Sequence, residues 1–161
     1  MSWTERPDNE ACCGEEPGAV RCEERVVKYL HSANLLPDTL AFTRRDLQAD
    51  RVEAPSNDCG DSHGCSVDRV GDASDAELLE KSEAYARAKE GRAPCGGLVA
   101  TVGALRRIPH QSAPEGAVRV YDDPRADNDA HAVVRVSRRL SRPEFNEVRR
   151  RIIQCFGYRV A

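Results

Sequence analysis

Ala117-Val118-Arg119-Val120-Tyr121, then Asp122-Asp123-Pro124-Arg125-Ala126-Asp127-Asn128-Asp129, then Ala130-His131-Ala132-Val133-Val134-Arg135-Val136 is the most informative run of the chain for its fold. Two runs rich in valine flank a polar connection that holds Pro124 and Asn128, residues that favour turns for their fixed φ and side-chain hydrogen bonding. Antiparallel pairing is the simplest way to join such runs, so the sequence predicts a β-hairpin. Just downstream, Ser141-Arg142-Pro143-Glu144 pairs a capping serine with a reciprocal glutamate and puts proline in the first turn, where no N–H is needed. Phe145, Val148, Ile152, Cys155 and Phe156 then share one face, and Gly157 suits the stop. A hairpin followed by a basic amphipathic helix implies an α+β class: a small mixed or antiparallel sheet of about four to five strands packed by two or three helices.

Working back toward the N-terminus, Gly97-Leu98-Val99-Ala100-Thr101-Val102-Gly103-Ala104-Leu105 reads as a buried, central strand. Ser74 and Glu77 repeat the capping-box pattern, predicting a helix through Leu78, Leu79, Ser82 and Tyr85 that stops at Gly91. Cys65–Arg69 is a strand candidate after a long polar loop from Ala49 to Gly64, and Thr39–Arg44 is another. Cys22, Val26, Tyr29, Leu30 and Ala33 recur at helical spacing, which predicts a first helix from Ala19 onward. Residues 1–18 are acidic and lack an apolar period, so they read as a flexible lead-in, with one α+β domain over 19–161.

With 161 residues the chain is long enough for a real core, since folding at that size hides roughly 70% of the extended surface. Aromatic residues are only 5%, so that core rests on Val, Leu, Ile and Ala. A net charge of −3 provides no global field to draw the protein to nucleic acid or an anionic membrane. Nearly all the basic residues are arginine, which suggests a GC-rich bacterial source. The start lacks a basic segment followed by an apolar run, so the expected location is cytoplasmic, with the seven thiols reduced and no membrane partner.

Three polar constellations stand out. Cys59, His63 and Cys65 offer zinc donors, but at a C-x3-H-x-C spacing unlike the usual paired knuckles, so the expectation is no cofactor, with zinc as the exception. His63, Ser66 and Arg69, together with Asp122, Asp123, Asn128 and His131, hold the groups for acid–base chemistry if the 65–69 strand lies beside the hairpin. Turn chemistry alone also accounts for Asp123-Pro124 and Asn128, and an ordinary hydrogen bond for His131. Arg138 and Arg139 just before the last helix, with Arg149 and Arg150 on it, make this end of the chain basic, but Glu144 and Glu147 dilute it. Its expected partner is therefore a protein, with nucleic acid the weaker alternative.

In their order, Gly64-Cys65-Ser66-Val67, Ser74-Asp75-Ala76-Glu77, Gly97-Leu98-Val99-Ala100-Thr101-Val102, Asp123-Pro124 with Ala130-His131-Ala132, and the arginine-rich helix ending at Gly157 resemble the landmarks of a group of small uncharacterised bacterial proteins. The resemblance spans about Phe42 to Gly157. The group has no assigned activity, so it carries no catalytic residues to this chain.

The leading expectation is a non-enzymatic interaction or accessory protein of a bacterial multi-gene system, of the defence or protein-conjugation kind. One rival is a small metal-independent nuclease or transferase using His63 or His131 with Arg69 and Asp122 or Asp123. Another is a zinc-stabilised binding module.

Overall fold

The hairpin forms, and it becomes one edge of a larger sheet. The computed structural model describes residues 20–31, 65–88, 91–109, 111, 117–136 and 140–160. Its strands are β1 (Arg25–His31), β2 (Cys65–Arg69), β3 (Pro94–Thr101), β4 (Val118–Asp122), β5 (His131–Val136) and β6 (Tyr158–Val160). They lie in the order β4-β5-β2-β1-β3-β6, and every neighbouring pair is antiparallel. The helices are α1 (Asp75–Arg87), α2 (Val102–Arg106) and α3 (Arg142–Cys155).

Both long helices begin as their sequences predict. Ser74 accepts from the Glu77 N–H at 3.2 Å while the Glu77 carboxylate accepts from Ser74 N at 3.1 Å, and Ser141 and Glu144 repeat the exchange on α3. Gly91, just past α1, adopts φ 73°, a left-handed conformation that glycine enters without a Cβ penalty.

Alternation along the strands sorts side chains onto two unequal faces. On one, Val26, Val67, Ala100, Val120 and Val134 pack against Phe145, Val148 and Ile152 of α3 and Val102 and Leu105 of α2. On the other, Val27, Tyr29 and Val99 meet Leu78 of α1, with Val70 and Val160. Each large side chain hidden in this way contributes about 1.5–3 kcal/mol relative to exposure, so the α3 face is the main source of stability. On the smaller face α1 packs on β3, β1 and β6, which leaves β2 and β5 to one side of it.

The structure corrects several expectations. The helix expected from Ala19 is strand β1. Its residues are buried on both faces, Val26 and Val27 alike, so the apolar run lacks a period of two and mimics a helical spacing. The buried strand stops at Thr101 because the N–H groups of Val102 and Gly103 bind the carbonyls of Glu24 and Cys22 at 2.9 and 2.8 Å and a short helix starts there. That strand is also one place from the sheet edge, not central. With β1 and the unexpected β6, the sheet has six strands in place of four to five. The 1–18 lead-in, the Thr39–Arg44 strand and the Ala49–Gly64 loop lie outside the described residues.

Candidate functional site

A cleft of about 820 Å³ opens where α1 leaves the sheet uncovered. Its floor follows from strand register. Val27 of β1 pairs with Asp68 of β2, which pairs with His131 of β5, so the three side chains form one row across the sheet. Ser66 lies two residues along β2 from Asp68, on the same face, and Tyr29 takes the corresponding place on β1. Lys81, Ala84 and Tyr85 of α1 form one wall, and Asp127, Asn128 and Ala130 of the β4–β5 turn form another.

The turn itself is tightly fixed. Arg125 and Asn128 exchange both backbone hydrogen bonds, at 2.9 and 3.0 Å, and Asn128 Oδ1 accepts from Ala130 N at 3.1 Å. The other end of the same side chain, Nδ2, donates to Asp68 Oδ1 at 2.9 Å, tying turn to floor. The Tyr29 and Tyr85 rings meet at 5.9 Å with a 36° tilt. Burial first, and then the negative charge of Asp68, raise the Tyr29 hydroxyl above its ordinary range, so it remains protonated.

His131 is oriented from behind. Its Nδ1 lies 2.9 Å from the Asp123 main-chain oxygen and 3.0 Å from Asp123 Oδ2. A carbonyl only accepts, so Nδ1 carries a proton, and in the neutral ring Nε2 then presents a lone pair. No described residue hydrogen-bonds to Nε2. Asp123 is fully buried and also lies 2.7 Å from Arg125 Nη2. Both side-chain contacts are bent away from hydrogen-bond alignment, so neither carboxylate oxygen has a hydrogen-bond partner.

Arg69 and Asp122 belong to the opposite face. Arg69 donates to Glu24 through Nε at 2.8 Å and Nη2 at 2.9 Å, a bidentate fork, and through Nη1 to Asp122 Oδ1 at 3.2 Å. Asp122 is fully buried and its Oδ2 has no hydrogen-bond partner. Burial raises its pKa, outweighing the downward pull of Arg69.

The seven-residue acid–base constellation therefore divides. Ser66, Asn128 and His131 line the cleft with Asp123 behind, Arg69 and Asp122 pair across the sheet, and His63 lies outside the described residues. Cys59, like His63, lies outside the described residues, while Cys65 is buried in the larger core. Among the described residues no group of three His, Cys, Asp or Glu is placed to hold a metal ion. Arg149 is half-buried and Arg150 exposed on α3, which packs on the face opposite the cleft, and Arg138 and Arg139 are outside the described residues. Among the described residues no helix is long and apolar enough to cross a membrane.

Tyr29, Asp68 and Lys81 escaped the sequence reading. Only the register of β2 between β1 and β5 brings them together, although the Asp68–Arg69 end of β2 was a visible polar signal. No protein-family model, curated protein or solved structure matches the chain.

Proposed function

We propose that the chain is an interaction or accessory protein that binds a segment of a protein partner in the cleft between α1 and the β1–β2–β5 floor. The cleft itself carries this reading. It is open and lined by charges of both signs, Lys28, Lys81, Asp68 and Asp127, beside Tyr29 and Tyr85. Small-molecule pockets are mostly apolar and enclosing, whereas tyrosines within an open, polar-rimmed surface match the anatomy of protein-binding sites.

The test compares variants in affinity capture from extract of the source cells. Lys81→Glu and Tyr85→Ala alter the cleft wall, and Arg150→Ala alters the far face. A partner retained by the wild type and Arg150→Ala but lost from both cleft variants supports the reading. A partner retained equally by all four proteins, or none recovered at low salt, overturns it.

A second reading, acid–base catalysis, is favoured by one observation: the Asp123–His131 pair leaves Nε2 as a proton acceptor in the cleft. In that reading His131 takes a proton from a hydroxyl or water. Arg69 is not at hand to stabilise developing charge, because its guanidinium is engaged by Glu24 and Asp122 on the other face.

A further inference from the structure

Across the sheet from Val27, the floor of the cleft offers two acceptors side by side. Asp68 and His131 are directly paired in register, so their Cβ atoms are about 5 Å apart on the same face. Asp68 holds Asn128 through Oδ1, which leaves Oδ2 without a hydrogen bond among the described residues. His131 carries its proton on Nδ1, against the Asp123 carbonyl, and so faces the cleft as an acceptor. The wall beside them is aromatic, with the half-buried Tyr85 packed on Tyr29.

From this arrangement the geometry points to a subsite for an arginine side chain of the partner, its guanidinium bridging Asp68 Oδ2 and His131 Nε2 with Tyr85 alongside. The inference rests on the cleft being the docking surface and adds what is recognised there. A guanidinium is planar, with five donors in a rigid fork, so it satisfies two neighbouring acceptors at once and stacks on an aromatic ring. A lysine ammonium is a compact charge that reaches one acceptor well and gains less from the second. The cleft's own lysines do not occupy this row. Lys28 Nζ donates to the Ser66 carbonyl at 3.1 Å, and Lys81 stands exposed on α1. Lys81 places positive charge at the rim, which favours an acidic residue adjacent to the bound arginine.

The experiment titrates the full chain, labelled with 15N-histidine, with the capped amino acids Nα-acetyl-arginine methylamide, the lysine analogue and the glutamate analogue. A saturable shift of His131 Nε2 with the arginine probe is expected, with an affinity roughly millimolar as befits a fragment and about tenfold weaker for lysine. Asp68→Asn keeps the shape and the Asn128 contact, and is expected to weaken the arginine probe about tenfold. Two results overturn the subsite: an equal response to all three probes, or arginine binding unchanged in Asp68→Asn. The two proposals fail separately. A captured partner that is lost with Tyr85→Ala yet indifferent to Asp68→Asn leaves the docking reading standing and removes the subsite. A saturable, Asp68-dependent arginine response with no recoverable partner does the reverse.

Discussion

Asp122 and Asp123 are consecutive, both fully buried, and directed to opposite faces of the sheet. Asp122 meets Arg69, a permanent cation already forked by Glu24, and the three groups form a closed structural network next to the large core. Asp123 meets His131, whose second nitrogen remains available in an open cleft. Burial is therefore not what separates a structural carboxylate from a functional candidate. The difference lies in the partner, since a saturated guanidinium ends the chain of interactions and an imidazole passes it on to solvent.

The two faces of the sheet differ most when each is emptied in turn. Phe145→Ala on the α3 face is expected to cost about 3–5 kcal/mol, the range for deleting a buried aromatic side chain. Leu78→Ala beneath α1 is expected to cost about 2–4 kcal/mol and to disturb the cleft wall as well. Urea unfolding gives the energies, and the His131 resonances report the cleft. A Phe145→Ala protein whose His131 signals move more than those of Leu78→Ala would erase the distinction between the faces.

The hairpin and the two capped helices are local in sequence, encoded by turn residues, caps and periodicity, and all three form where expected. β1 was misread because a strand covered on both sides shows no alternation, so Val26, Tyr29 and Leu30 fit a helix equally well. β6 is only three residues long and gains its identity by pairing with Gly97–Val99. Its neighbour Gly97 shows how tertiary this information is: a Cβ there would lie 2.7 Å from Val27 Cγ2 on the adjacent strand β1. For the site, Asp123 and His131 were visible as a polar turn. Asp68 was not, since its role depends on which strand lies beside β2.

Asp122 offers the next test. Asp122→Ala takes a buried carboxylate partner from the Arg69 guanidinium, itself largely buried, at a cost of about 2–4 kcal/mol. Asp122→Asn keeps an oxygen for Arg69 Nη1 and should cost clearly less. Equal losses for the two would show that charge, not the hydrogen bond, holds this end of the sheet.

The same carboxyl sets a pH dependence. Its pKa is raised in the folded protein, so between the unfolded value of 3.8 and the higher folded value the native state binds more protons than the unfolded chain. The contribution of Asp122 is then greatest below 3.8 and declines as pH rises through the folded value. In urea midpoints measured from acid to neutral pH, Asp122→Asn should gain on the wild type through that window and then run parallel to it. A difference that does not vary with pH would remove the raised pKa.

The smallest effect is expected at Asp123. Asp123→Asn removes a buried charge without an aligned hydrogen bond and should alter stability by no more than about 1 kcal/mol. His131 should keep its proton on Nδ1, because the main-chain oxygen at 2.9 Å remains. Long-range 1H–15N spectra of the imidazole read this directly, and a switch to the other tautomer would make the carboxylate the controlling group.

The strand order also governs the sequence of events in folding. Among the six strands only β4 and β5 meet through a short connection. β2 joins β1 on one side and β5 on the other across long stretches of chain, and β3 must wait for β6. Loop-closure entropy has to be met before such pairings are rewarded, which slows them relative to the β4–β5 hairpin. The row of Val27, Asp68 and His131 is assembled by two of these late pairings. The cleft is accordingly among the last features of the molecule to form, and any partner that recognises it reads out a completed sheet.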